Sequence, residues 1–266
     1  MSGPIELSWL DLAGASSLIL LNGGLSVWLK LGLEKKLLVA SLRTVVQVSL
    51  LGYLLVPVFS IEHPALVLAM GSVMIGLAAR AAVKRASRGY RGVMWTGLLA
   101  MVLGAVPTTL LATIVLIGVE PFWAPRYAIP LLGMILGNAL SGVSLGLDRS
   151  LARFDEGRDE VELMLAWGAS RWEAARPVAA EALRTGMIPI LNSMTVVGLV
   201  TIPGMMAGQI LGGTSPEQAA RYQILILFLI AAATALGTTT AVLACVWAVF
   251  DDKHRLRVDR ILRSGG

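Results

Sequence analysis

Seven apolar runs, each close to the roughly 20 helical residues needed to cross a hydrocarbon core, leave this chain few ways to fold. They lie near residues 9–29, 37–57, 64–83, 94–118, 127–147, 188–211 and 222–250. Backbone polar groups in lipid must be satisfied within their own segment. The expected class is therefore an all-α polytopic membrane protein, with residues 1–266 forming one transmembrane domain. Composition agrees: 56% of residues are hydrophobic, 15% are charged and the mean hydropathy is +0.76, outside the range of ordinary soluble domains. Asp11, Asn22, Gly23 and Gly24 weaken the first run, and an even span count results if it lies flat at the surface. Met1 to Ser8 carry no basic residue, and the run after them exceeds a signal-peptide core, so it is expected to be retained.

The basic residues predict an orientation. A charged segment, 148–186, separates the fifth and sixth runs, and placing it in the cytoplasm puts 20 of the 22 Lys and Arg residues on that side. Arg126 and Arg221 are the two exceptions. The positive-inside rule then predicts a plasma (cell inner) membrane protein with its N-terminus outside and its C-terminus in the cytoplasm. The net charge of +5 is thereby assigned to topology and lipid contact, with no nucleic-acid partner. The external connections, Val58–His63, Val119–Arg126 and Gly213–Arg221, are short, with Pro57, Pro64, Pro121, Pro125 and Pro216 as expected helix breakers.

Segment 148–186 reads as a docking elbow. Asp155, Glu156, Asp159, Glu160 and Glu162 crowd the start of a short helix, where the helix dipole favours negative charge. Gly168 is placed to end that helix. Ser170 and Glu173 form a capping-box pattern that starts a second one and carries Trp172 forward. Pro177 is expected to close this second helix or to open the next. Ala169, Trp172 and Ala175 then form a small apolar face, and Leu165, Arg171 and Arg176 complete the candidate coupling surface. The blander alternative is a solvated loop with an incidental capping box.

Glu162, Gly168 and Ala169 keep the Glu-x5-Gly-Ala spacing of the coupling motif of ABC transporter permeases, continued by Ser170-Arg171-Trp172. Leu163 and Met164 replace that motif's small pair, and Glu181 falls near its proline. Two further stretches, Leu42-Arg43-Thr-Val-Val-Gln47 with Leu51-Gly52-Tyr53, and Thr201-Ile-Pro203-Gly204-Met205-Met206-x-Gly208-Gln209, carry the likeness along the chain. Over nearly its whole length the sequence resembles the FetB family of iron-export ABC permeases. The resemblance implies a homodimer paired with separate ATPase subunits that hold ATP and Mg. It also implies iron or another metal as cargo, although plant relatives are linked to aluminium tolerance and sugar-nucleotide transport.

Candidate pathway residues come from polar groups at membrane depth, which are costly there and mark function by default. They are Gln47, Asn138, Asn192, Thr195 and Gln209, with Arg43 able to snorkel to the surface. In the fifth run, Gly133, Gly137 and Ser141 share one face, and Asn138, Gly142 and Gly146 share another, a spacing that lets helices approach closely. Gly204, Gly208 and Gly212 repeat it in the sixth run, behind Pro203, which is expected to bend the helix. Pro203, Gly204, Met205 and Met206 are candidate gate residues. Met187, Met194, Met205 and Met206 offer thioethers, which suit copper(I) better than iron, but methionine is also the usual filler of irregular gaps. No metal set is assigned, since His63 and His254 lie in opposite flanking loops and the single cysteine, Cys245, lies in an apolar run. No nucleotide-binding Gly-x4-Gly-Lys-Ser/Thr loop is present, and no constellation of nucleophile and base stands out, so the chain is read as a permease and not an enzyme. The rival from another class is a self-contained secondary carrier.

Overall fold

The computed structural model describes residues 8–263. Residues 1–7, which include most of the stretch expected to be retained ahead of the first run, lie outside them. The described chain forms nine α-helices: α1 (Trp9–Trp28), α2 (Glu34–Ile61), α3 (Pro64–Arg85), α4 (Val93–Leu110), α5 (Pro125–Glu156), α6 (Arg158–Ala166), α7 (Arg171–Val196), α8 (Gly204–Leu211) and α9 (Pro216–Val249). A π-helical turn, Leu111–Leu116, extends α4. Among the described residues, α1, α2, α3, α4 with its extension, α5 and α9 are long and apolar enough to cross a membrane. The protein is thus an all-α polytopic membrane protein.

The run 188–211 is not one helix. Its first part is the end of α7, which starts far earlier at Arg171, and its last part is α8. Between them, residues 197–203 leave helical geometry: the Gly198 N–H donates to the Thr201 carbonyl at 2.9 Å and Gly198 has φ +81°. The span thus breaks where a bend was expected, already at Val197, and Pro203 serves as the N-cap of α8. Two other prolines do less than expected. Pro57 lies inside α2, and Pro177, with Pro189, lies inside α7. Each costs a backbone bond, which α7 offsets by burying Ala174, Ala175, Val178 and Ala182.

Helix α9 is the axis of the core, packed against α4, α5, α7 and α8. Lipid gives helices no hydrophobic drive to associate, so close contact needs small side chains and good packing. A Cβ on Gly104 would sit 2.8 Å from the Ala233 carbonyl oxygen, and one on Gly186 would sit 2.8 Å from that of Gly142. Gly142 and Gly146 receive the methyls of Thr234 and Thr238. The Asn138, Gly142, Gly146 face of α5 is thus the seam. The Gly204, Gly208, Gly212 stripe is not, since no other helix approaches those three positions.

Helices α1 and α2 stand apart as a hairpin, almost wholly exposed. Their corner is tied by the Ser26 hydroxyl, which donates to Glu34 at 3.1 Å and accepts the Leu33 N–H at 2.9 Å. At the elbow end of the bundle, β1 (Arg88–Tyr90) pairs antiparallel with β2 (Ile261–Arg263), a two-stranded ribbon absent from the all-helical expectation. Replacing Gly104 or Gly142 with Ala should cost about 1–3 kcal/mol through overpacking. Gly137→Ala, beside which lies open space, should change little. Denaturation in detergent micelles would separate the two classes.

Candidate functional site

The elbow keeps its capping signals, but Asp155 and Glu156 end α5 instead of opening a short helix, and the second helix is the long α7. The acidic first turn of α6 carries Asp159 and Glu160, and Arg158 donates to Glu162 at 2.7 Å across one turn. Gly168 takes φ +90°, its N–H reaching the Leu165 carbonyl at 3.0 Å while the Ala169 N–H reaches that of Met164 at 3.1 Å. This pair is a Schellman closure, and a residue with a Cβ adopts that backbone poorly. One residue later, Ser170 accepts the Glu173 N–H and Glu173 accepts the Ser170 N–H at 2.8 Å, completing the capping box. Two caps back to back leave the corner little freedom.

Placement of the coupling residues differs in part from expectation. Ala175 lies on the buried face of α7 and is not on a free face. The apolar surface that remains is formed by Leu163, Trp167 and Trp172, of which Trp167 is 81% exposed. Trp172 meets Trp247 edge to face at 5.5 Å, and the Arg171 guanidinium stacks 3.9 Å above the Trp247 ring. The Arg171 N–H, an orphan donor at the start of α7, is accepted by His254 Nδ1 at 3.1 Å. Trp247 and His254 were missed by sequence reasoning, because they lie some 80 residues from the elbow they brace. Glu162, Leu165 and Ala169 face Lys253, His254 and Arg255 across a cleft of about 480 Å³. Glu173 and Arg176 are exposed.

Charge ties the elbow to the core helices. Glu181 of α7 pairs with both Arg149 and Arg153 of α5, the latter at 3.0 Å, and Arg153 also reaches Glu160 of α6 at 3.2 Å. Arg88 joins this end through Asp155 and Glu156. A single exposed pair contributes little, but these pairs form a network that links three helices. The Arg149 hydrogen bond is the main cause that holds the Glu181 carboxyl below its usual range. The Ser170 N–H, then its hydroxyl, do the same for Glu173.

The pathway candidates divide into two groups. Asn138, Pro203, Gly204 and Met205 meet around a cavity of about 390 Å³ at the break between α7 and α8, with Ser193, Thr201 and Gln223. Met205 and Gln209 line a second cavity of about 490 Å³ nearer the opposite end, with Arg126, Tyr127 and Tyr222. Met134 and Met205 line both. The remaining candidates are not gathered there: Arg43 and Gln47 are exposed on α2, Asn192 and Thr195 are exposed on α7, and Ser141 and Met206 are half-buried outside both linings. Gln223 was not singled out from the sequence, where it stands at the edge of an apolar run. Among the described residues, no three His, Cys, Asp or Glu side chains gather as a metal-holding group.

Comparison with known proteins places the chain among membrane proteins. The family described as Uncharacterised protein family (UPF0014) matches residues 9–250. A UPF0014 membrane protein of Synechocystis is 36% identical over 256 residues, covering 94% of this chain and 96% of that protein. The Escherichia coli protein named Probable iron export permease protein FetB is 32% identical over 235 residues, 88% of this chain and 89% of its own. Protein ALUMINUM SENSITIVE 3 of Arabidopsis thaliana is 31% identical, covering 92% of this chain and 88% of that protein. No solved structure matches significantly.

Two predictions follow from the caps. Gly168→Ala should cost about 1–2 kcal/mol, since a side chain strains the left-handed backbone, and amide exchange at 165–171 should rise. Glu173 has a folded pKa below its ordinary 4.5, so the unfolded chain takes up its proton first as pH falls. The capping contribution is full above that ordinary value and is lost as pH drops through the lower folded one. Protection of the 170–174 amides, that of Ser170 above all, should decline across that window in the native chain but not in Glu173→Gln.

Proposed function

The chain belongs to the UPF0014 family of membrane proteins, and from that premise we propose that it is the membrane-spanning permease subunit of an ATP-driven ABC transporter exporting iron or another metal. One observation carries this reading: a doubly capped corner presents Leu163, Trp167 and Trp172 outward while its base is tied by Glu181 to α5. Exposed tryptophans on a rigid support are typical anchors of a protein interface. The spacing of Glu162, Gly168 and Ala169, together with the printed name of the E. coli relative, favours an ABC ATPase as the partner.

In this reading ATP and Mg reside on the ATPase, and the permease performs no chemistry of its own. ATP-driven closure of the partner pushes on the corner at Gly168. Helix α7 carries the displacement into the bilayer, and the Glu181 pairs with Arg149 and Arg153 make α5 follow. The break at 197–203 lets α8 change angle without unwinding α7, which is how a gate moves beside a rigid helix. The elbow, the β1–β2 ribbon and the basic C-terminal segment share one end of the bundle, and the positive-inside rule places that end in the cytoplasm. This orients the N-terminus outside, in the plasma membrane. The exposed α1–α2 hairpin, with Arg43 and Gln47 on α2, is the surface a second copy of the chain would cover beside lipid.

Co-purification with the ATPase tests the docking surface. Trp167→Asp with Trp172→Asp should weaken association by about 2 kcal/mol or more, roughly 30-fold, and Gly168→Pro should abolish it. Full retention in all variants refutes docking at the elbow. Uphill transport by the purified chain alone in vesicles would instead establish the secondary-carrier rival.

A further inference from the structure

We infer that the two cavities sharing Met134 and Met205 are a single cargo route, and that Gln223 and Gln209 hold an oxygen-rich small solute of no net positive charge, so that a metal travels as its chelate and not as a bare cation. This rests on the permease reading above and names the chemistry of its cargo site.

The first support is a pair of unsatisfied amides. Gln223, only 9% exposed, lines the inner cavity, and its Oε1 has no hydrogen-bond partner. Gln209 lines the outer cavity, and its Oε1 is likewise buried and unpaired. Buried polar groups are almost always satisfied, so two unpaired amide oxygens on side chains along one route point to a ligand that completes them. An amide can accept from a hydroxyl or, turned about its last bond, donate to a carboxylate. Neither alternative requires charge on the protein.

The second support is the break before α8. Pro203 offers no side-chain cap, and the first bond back to it comes from the Ala207 N–H, so the Gly204, Met205 and Met206 N–H groups remain free of helical partners. Gly204 and Met205 sit in the inner cavity wall. A helix N-terminus bears partial positive charge and attracts electronegative atoms. It repels a naked cation. Arg126 on the outer cavity adds charge of the same sign.

The third support is the chemistry of the lining itself. Among the residues forming the two cavities none is Asp, Glu, His or Cys. Iron and other hard or borderline cations are bound through carboxylate, imidazole or thiolate groups, whereas these walls offer amides, hydroxyls and two thioethers. Met134 and Met205 line both cavities, and an unbranched, adaptable side chain suits a boundary that solutes would pass.

The test uses the full chain in nanodiscs, without ATPase. In a Cys245→Ala background, Gln209→Cys and Gln223→Cys should react with an anionic methanethiosulfonate about tenfold faster than Ile224→Cys, which lies exposed on the outer surface of α9. They should also prefer that reagent to its trimethylammonium counterpart. Separately, retention of ferric citrate or UDP-glucose should fall at least about tenfold in Gln223→Met, a variant of similar volume whose folding is checked by gel filtration. Ferrous chloride alone should be retained no better than by empty nanodiscs. The inference is overturned if the three cysteines react alike, if neither oxygen-rich probe is held, or if ferrous ion is held through Gln223. Because no ATPase is present, a route that passes these tests in a chain that fails to bind an ATPase would remove the ATP-driven reading and leave this one standing.

Discussion

The close approach of α5, α7 and α9 through Gly142, Gly186, Thr234 and Thr238 is the contact on which the rest depends. Apolar surface is no argument for association in lipid, because a hydrocarbon tail satisfies a leucine as well as another leucine does. What remains is dispersion at short range, and this requires backbones to come nearer than any Cβ would allow. The three helices that form the seam also carry the elbow, the helix break and Gln223. These sites are therefore joined by densely packed contacts.

Outside the apolar core, the elbow end is held by a different set of forces. Capping groups, a cation stacked on Trp247 and the shared carboxylate of Glu181 supply directional contacts where water would weaken simple ion pairs. Phe154 and Phe250 close the join at 5.7 Å edge to face, both fully or nearly fully buried. The C-terminal segment, with β2 paired to β1 and His254 on the α7 N-terminus, locks the loops of this end into one body. At the opposite end, Arg126 and Glu62 stand 4.0 Å apart and well exposed.

Several features of the site were legible from residue patterns because they are local. The Ser170–Glu173 box and the Gly168 stop depend on bonds spanning three to five residues, and they formed as read. The Asn138, Gly142, Gly146 face packs as its spacing predicts, but the same spacing at Gly204, Gly208 and Gly212 meets nothing. Spacing says that an approach is permitted and does not say that a partner arrives. Pro177 and Pro189 misled in the same way: a proline weakens a helix by a fixed amount, and the buried face of α7 exceeds that loss.

What the amino-acid order determined by itself was the class of molecule and its punctuation: apolar runs of membrane length, basic loops between alternate pairs, and caps at the elbow. Those follow from the cost of leaving backbone groups unpaired in lipid and from short-range bonding, neither of which needs a distant neighbour. Only the tertiary structure decided that the run 188–211 breaks at Val197 to Pro203, that Ala175 turns inward, and that Arg171 meets residues 76 and 83 positions away at Trp247 and His254. It also brought Gln223 beside Asn138. Such meetings are set by which helix faces fit against one another, and that fit is a property of the packed bundle that no local stretch of sequence contains.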